Sequence, residues 1–120
     1  VLQGEADDYV GVEQLQSYSA ELQAAGAPLE LRWLSGAGRV FDGPAYDPAV
    51  PRPLAQTLQA AQIVEGEGGV LLNSVTGRPF RWSDPQVGRG ATVAHDALAH
   101  GESRHALSAF LAGRLGLDAF

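Results

Sequence analysis

Residues Val1–Gly43 read VLQGEADDYVGVEQLQSYSAELQAAGAPLELRWLSGAGRVFDG, in which a helical pattern lies between two strand patterns. Val1–Gln3 predicts the end of a short buried strand that Gly4 closes. Apolar residues then recur every three or four positions, as on one face of a helix: Val12, Leu15, Tyr18, Leu22 and Ala25. Gly26 favours the end of this helix, because glycine readily adopts the left-handed conformation that follows many helices.

A second strand is predicted shortly after the helix. Apolar and charged residues alternate there: Leu29, Glu30, Leu31, Arg32 and Trp33. A strand, a helix and a second strand form a parallel pair with a right-handed crossover, so both strands end at the same edge of one sheet. Ligands of open α/β sheets bind outside that edge. We therefore expect the loop with Asp7 and Asp8 to lie beside the loop of residues 36–42.

The middle of the chain predicts an excursion from this unit. Residues 43–53 are proline-rich and predict a loop, and the apolar spacing over residues 53–63 predicts a short helix. Val70–Leu72 predicts a short strand, and residues 73–77 predict a turn. The excursion is therefore expected to contain a hairpin.

The last third of the chain predicts mainly helix. Ser83-Asp84-Pro85 resembles a helix start, and the pattern is helical from Ala91 to Leu115, with Gly116 as the stop. The clearest apolar face of this helix consists of Leu107, Phe110, Leu111 and Leu115. We therefore predict one partial domain that consists of three segments: a βαβ unit over residues 1–43, an excursion over 44–90 and a helical segment over 91–116.

Composition limits the classes of function. The chain has 120 residues, enough for one domain, with 45% apolar and 18% charged residues, a globular balance. Fourteen acidic against eight basic side chains give a net charge of −6, which disfavours nucleic acid and anionic membranes as partners. No apolar run approaches the ~18 residues of a membrane span, and no signal segment is evident. We expect a cytoplasmic protein.

The chain contains no cysteine, so disulfides, thiolate metal sites and a cysteine nucleophile within it are excluded. It begins with Val1, directly on a predicted strand. Parallel sheets need several strands and cover on both faces, and few further strands are predicted here. We therefore expect the chain to be the C-terminal part of a longer protein.

Four segments resemble the dienelactone hydrolase family of α/β-hydrolases. Gly4–Val10 (GEADDYV) resembles the acid turn after a late strand, and Gly36–Asp42 (GAGRVFD) resembles the family's G-A-x-H-x-F-D turn. The segment from Arg89–Asp96 (RGATVAHD) to Leu111 is similar to the final helix, and Thr76–Phe80 (TGRPF) resembles an insertion of some members. The resemblance covers nearly the whole chain but only the C-terminal half of such a protein.

This resemblance implies part of an α/β-hydrolase parallel sheet and a role in hydrolysing esters or lactones without a cofactor. The family uses a nucleophile, an acid and a histidine in that chain order. Asp7 matches the triad acid, and Arg39 stands at the position of the expected triad histidine. Arginine keeps its proton and cannot act as a general base. The isolated chain is therefore expected to be inactive, with the nucleophile upstream.

The chain does not supply the missing groups by any clear motif. No G-x-S-x-G elbow occurs, and Ser103, in the nearest segment, is interpreted as a helix cap. His95, His100 and His105 are five positions apart, which rotates successive rings by about 140° around a helix and disfavours a metal site. Solvated surface histidines are the simpler interpretation, although one of them could replace the missing base.

Two hypotheses for the function of the chain remain. Asp7 and Asp8 are adjacent, so their side chains normally diverge, and alone they would suggest a solvated turn. In the first reading the chain is a hydrolase fragment with a missing N-terminal half. In the second it is a non-catalytic binding or assembly protein in which Arg39 pairs with Asp7 or with a carboxylate ligand. Self-association through uncovered apolar faces is expected in the second case.

Overall fold

The computed structural model describes residues 1–117 and shows a small mixed α/β fold. Within these residues the chain forms three two-stranded sheets and two α-helices. The elements in chain order are β1 (Leu2–Gly4), α1 (Val12–Ala24), β2 (Arg32–Leu34), β3 (Val50–Thr57), β4 (Ile63–Glu65), β5 (Leu71–Asn73), β6 (Gly88–Val93) and α2 (Ala97–Leu115). One sheet is parallel and the other two are antiparallel.

The βαβ prediction is confirmed. Strands β1 and β2 are parallel, with Leu2 opposite Arg32 and Gly4 opposite Leu34. Helix α1 ends as predicted: Gly26 has a φ of 87°, and its N–H donates to Gln23 O at 3.0 Å. The next N–H, of Ala27, donates to Leu22 O at 2.9 Å, which completes the backbone cap of the helix.

The predicted apolar face of α1 is only partly covered. Ser19 is the buried residue of the helix, and the ring of Tyr18 is exposed. The helix is held to the following part of the chain by the amide of Gln14, whose Nε2 donates to the carbonyl oxygens of Leu58 and Ala61. The two hydrogen bonds of Gln14 therefore position α1, together with the contacts of its partly buried apolar residues.

The loop predicted over residues 43–53 is confirmed as far as residue 49, with a short 3-10 turn at Pro44–Tyr46, but the helix predicted over residues 53–63 is wrong. Val50–Thr57 is strand β3, which pairs antiparallel with β6. Two prolines are tolerated because the strand lies at a sheet edge and its register shifts between Arg52 and Gln56, where ladder hydrogen bonds are interrupted. The pairing partner lies more than thirty positions away in the sequence, so local spacing did not indicate it.

The excursion contains an antiparallel hairpin, although its first strand, β4, was not predicted. Strands β4 and β5 pair antiparallel, and Gly77 ends the following turn with a φ of 67°. The helix start predicted at Ser83-Asp84-Pro85 is wrong, because these residues form successive turns in which Asp84 N donates to Arg81 O and Val87 N donates to Asp84 O. The Asp84 carboxylate does not act as a helix cap, because it accepts from the N–H of Arg81, which precedes it.

Helix α2 begins at Ala97, six residues later than predicted, because residues 91–93 belong to β6. The Asp96 carboxylate caps its start by accepting from Ala99 N at 2.9 Å. The predicted stop at Gly116 is confirmed by its left-handed φ of 62°. The predicted apolar face remains largely uncovered: Leu107, Phe110, Leu111 and Leu115 are all exposed.

The buried core is small and lies beneath the carboxyl edge of the parallel strands. It contains Leu34, Ala37 and Ala99, with Leu2 and Phe41 packed against them. This cluster joins β2, the loop after it and α2, and the loop of residues 36–42 contributes Ala37 and Phe41 to it. In the part of the chain that the structure describes, neither helix combines the length and the apolar character that crossing a bilayer requires.

Candidate functional site

The candidate site lies where β1 and β2 end and their two loops meet. Glu5 N donates to Leu34 O at 3.0 Å, and Ala6 N donates to Ala37 O at 2.9 Å. Gly4 makes this contact feasible, since a Cβ at its position would lie 2.2 Å from Ala37 O. The two loops are therefore joined backbone to backbone, as the βαβ topology predicts.

Asp7 is held in one orientation at this edge. Its residue is 6% exposed. Its Oδ1 accepts from Tyr9 N at 2.8 Å and Val10 N at 3.2 Å, the hydrogen bonds of an Asx turn. Its Oδ2 accepts from Gln3 Nε2 at 3.1 Å. One oxygen is thus committed to the turn, and the other faces the neighbouring loop.

Arg39 meets that second oxygen. Its NH1 lies 3.6 Å from Asp7 Oδ2, which confirms the predicted ion pair. The Arg39 side chain is 49% exposed, whereas the Asp7 side chain is 4% exposed. The guanidinium also lies over the ring of Tyr9, with Cζ 5.5 Å from the ring centroid, a cation–π contact. Arg39 is therefore positioned by both a charge and a ring from the first loop.

The backbone after Arg39 is conformationally unusual. Val40 has a φ of 63°, a left-handed conformation that β-branched residues rarely adopt. Its carbonyl oxygen accepts from Gly43 N at 2.9 Å, so the chain reverses immediately after Arg39. Such strain persists only where surrounding contacts determine it. The tight reversal keeps Arg39 at the edge of the sheet.

A third segment, the end of β6, also lies at the site, which the sequence patterns did not predict. The end of β6 runs beside the second loop: Ala94 N donates to Arg39 O at 3.1 Å, and Asp96 N donates to Phe41 O at 2.9 Å. Thr92 N donates to Asp8 Oδ2 at 2.9 Å, across 84 positions of sequence. Asp8 diverges from Asp7 as expected, and it attaches β6 to the first loop.

The other oxygen of Asp8 distinguishes this carboxylate from that of Asp7. Asp8 Oδ1 is buried and has no hydrogen-bond partner within residues 1–117. A buried acceptor without a donor is costly, so a group that donates to it would stabilise the edge. Asp8 is therefore a second polar group of the site, and it could receive a donor from a ligand or from another chain segment.

A cavity of about 300 Å³ opens in front of the Asp7–Arg39 pair. Its lining combines polar and apolar groups from both loops, including Gln3, Asp7, Arg39, Phe41 and Asp42. The lining offers the fixed carboxylate of Asp7, a second carboxylate from Asp42, a guanidinium and an amide. The residues that line the cavity carry no hydroxyl, thiol, amine or imidazole group, and the guanidinium of Arg39 cannot act as a general base.

The histidine prediction requires a partial correction. His95 precedes the cap residue of α2, so it is outside the helix and the 140° rotation does not apply to it. Its Nε2 lies 3.3 Å from Nδ1 of His100, and the two rings are nearly perpendicular. His105 is exposed, as expected for a surface histidine. Within the described residues no group of three or more potential ligands could hold a metal ion.

Ser103 is not a helix cap, which corrects the sequence interpretation. It lies inside α2, is buried, and donates from Oγ to His100 O at 2.8 Å. Asp96 caps the helix instead. A serine whose hydroxyl binds its own helix backbone is not presented as a nucleophile.

Comparison of the chain with protein-family models, curated proteins and solved structures finds no match. The functional interpretation therefore depends on the geometry of the three joined segments. Their main feature is a buried, oriented carboxylate that faces residue 39 across the edge of a parallel strand pair.

Proposed function

We propose that this chain is the C-terminal part of an α/β-hydrolase similar to dienelactone hydrolases, and that the parent protein acts on small esters or lactones. The observation that carries the proposal is the contact between Asp7 and Arg39. In a nucleophile–histidine–acid triad, the acid is buried at a loop and orients the histidine of another loop. Asp7 has that burial, and residue 39 occupies the place of the histidine.

The hydrogen bonds of Asp7 support this assignment. Two backbone N–H groups bind Oδ1, and Oδ2 faces both Gln3 Nε2 and residue 39. A triad acid needs this fixed direction, because it sets the tautomer and orientation of the imidazole. The parallel β1–β2 pair and its connecting helix are also what the end of such a sheet requires. Arginine at position 39 cannot act as the general base of such a triad.

The coding sequence upstream of Val1 is the most direct test. An open reading frame with a strand–elbow–helix segment carrying Cys or Ser would support the proposal. A start codon next to Val1 would contradict it. The isolated chain is expected to show no ester hydrolysis, and activity in the unmodified chain would refute the assignment of its chemistry.

Arg39→His in the whole encoded polypeptide tests the site itself. The imidazole would face Asp7 Oδ2, and we expect ester hydrolysis to rise by about 100-fold, the smaller end of general-base effects. Adding Asp7→Asn should remove the gain. Arg104→His, on the exposed surface of α2, is the matched control and should leave the rate unchanged. No gain from Arg39→His in a polypeptide with an intact elbow would argue against residue 39 as the base position.

The second candidate is a non-catalytic binding or assembly protein with the same fold edge. Two observations favour it: half of the Arg39 side chain stays exposed beside the cavity, and the apolar face of α2 is uncovered. An exposed guanidinium in a cavity suits a carboxylate ligand. Uncovered apolar faces favour association with another chain, including a second copy of this one.

Self-association is expected to depend on the α2 face. Leu107 is 50% exposed on α2, and Leu54 is 81% exposed on β3, so they form a matched pair of surface leucines. In sedimentation, Leu107→Lys should shift the chain towards monomer, whereas Leu54→Lys should not. A monomeric unmodified chain with a cooperative melt would contradict the expectation.

A further inference from the structure

The turn between β5 and β6 encloses a cleft that is separate from the Asp7–Arg39 site. Its volume is about 480 Å³, within the ~300–1,000 Å³ of small-molecule sites. Polar side chains from both arms of the turn line it: Thr76, Arg78, Arg81, Ser83 and Asp84. None of these residues lines the cavity at the carboxyl edge of β1 and β2.

The segment around this cleft has a charge opposite to that of the chain. Residues 70–90 contain three arginines and one acidic residue, a net charge of +2, whereas the chain has −6. Two of these arginines, Arg78 and Arg81, line the cleft. Positive charge is thus concentrated at one concave place on an acidic protein, which attracts small anions there.

The donors of the cleft are free to bind a ligand. Within residues 1–117, neither the Arg78 nor the Arg81 guanidinium makes a hydrogen bond or an ion pair with the protein. Thr76 Oγ1 accepts from Arg78 N at 3.3 Å, so its own hydroxyl proton remains available. Guanidinium groups and hydroxyl groups together donate several hydrogen bonds to the oxygens of a phosphate or carboxylate.

The acidic residue in the cleft, Asp84, stabilises the turn. Asp84 Oδ2 accepts from Asn73 Nδ2 at 2.9 Å and from Arg81 N at 3.1 Å. Asn73 also donates from its backbone N to Arg78 O at 2.8 Å. Asn73 therefore binds both arms of the turn, next to Arg78 and next to Arg81. The backbone segments that carry the two arginines are thus held at one cleft before any ligand arrives, which lowers the entropy lost on binding.

We infer that the Arg78–Arg81 cleft binds an oxyanion carried by a small molecule, a phosphate ester or a carboxylate. The cleft is larger than a bare oxyanion, so it has room for an organic portion as well. The two arginines bind the oxyanion, and the hydroxyl groups of Thr76 and Ser83 complete its hydrogen bonds. This inference does not depend on the hydrolase proposal, because it concerns a different surface and different residues.

The test is a titration of the chain followed by ¹H–¹⁵N NMR, with inorganic phosphate in one arm and malonate in the other. Saturable shifts centred on residues 76–85 are expected in at least one arm, and the tighter arm identifies the oxyanion. Arg78→Gln and Arg81→Gln should each weaken binding by about fivefold or more. Both side chains are exposed, so neither change should alter the thermal midpoint.

Arg104→Gln is the matched control, since Arg104 is an exposed arginine on α2. Its binding should equal that of the unmodified chain. The inference is overturned if neither anion saturates by about 10 mM, if the shifts centre on Arg39, or if Arg104→Gln weakens binding as much as Arg78→Gln.

Discussion

Gly4→Ala is expected to lower the free energy of unfolding by about 3 kcal/mol, at the upper end of overpacking effects. The new methyl group would lie 2.2 Å from Ala37 O and 2.8 Å from the Ala37 carbonyl carbon. Both are backbone atoms, so no side-chain rotation can relieve the contact. The loop of residues 36–42 must move away from β1, and it carries Arg39 with it. We therefore expect the Asp7–Arg39 contact to be lost together with stability.

Urea denaturation and NMR of the Arg39 side chain measure these two effects. Gly101→Ala is the matched control, because a Cβ at Gly101 in α2 meets nothing within 4 Å. That substitution should stabilise the chain by up to about 1 kcal/mol, since alanine favours helix over glycine. Equal stability of Gly4→Ala and the unmodified chain would show that the two loops are not in the close contact described.

Asn73→Ala is expected to cost about 3 kcal/mol of stability through lost buried hydrogen bonds. Asn73 is 3% exposed, and both polar atoms of its side chain form hydrogen bonds. Its Nδ2 donates to Asp84 Oδ2 and Gln86 Oε1, both at 2.9 Å, and its Oδ1 accepts from the N–H groups of Val75 and Thr76. Alanine would remove the amide partner of Gln86 and of the Val75 and Thr76 N–H groups, and it would leave Asp84 Oδ2 with only the N–H of Arg81. Both arms of the turn would then be released.

Urea denaturation checks this loss, with Gln16→Ala as the control. Gln16 is an exposed amide on α1, and its replacement should change stability little. Since Asn73 arranges the Arg78–Arg81 cleft, Asn73→Ala should also weaken phosphate or malonate binding. A variant as stable as the unmodified chain would contradict the structural role of Asn73.

The pH dependence of stability provides a second test of the hydrogen bonds between Asn73, Asp84 and Arg81. The hydrogen bond from Asn73, and then that from Arg81 N, holds the pKa of Asp84 below its ordinary value. A carboxyl group with a lowered pKa contributes stability above its unfolded pKa and loses it as the pH falls through its folded pKa. The stability difference between the unmodified chain and Asn73→Ala should therefore be full at neutral pH and shrink below about pH 4.

Local patterns were reliable where the interacting residues are close in sequence. The βαβ unit, the end of α1 at Gly26, the turn before Gly77 and the stop of α2 at Gly116 all follow from spacing or from the conformational freedom of glycine. The Asp7–Arg39 pair was predictable because parallel strands place their two following loops together. Strand β3 was missed because its prolines suggested a loop and its partner β6 is distant in the chain.

The sequence by itself determined the parallel β1–β2 pair, its crossover helix and the meeting of two loops at one edge. Only the tertiary structure showed that β6 reaches this edge, that Asp8 rather than Asp7 binds it, and that His95 turns back to His100. It also brought Arg78 and Arg81 to one cleft through the buried amide of Asn73. Periodicity and cap preferences act over a few residues of regular structure, whereas Thr92 lies 84 positions from Asp8. The His95–His100 and Asn73–Asp84 contacts span fewer positions, but they depend on irregular backbone that no periodic pattern describes.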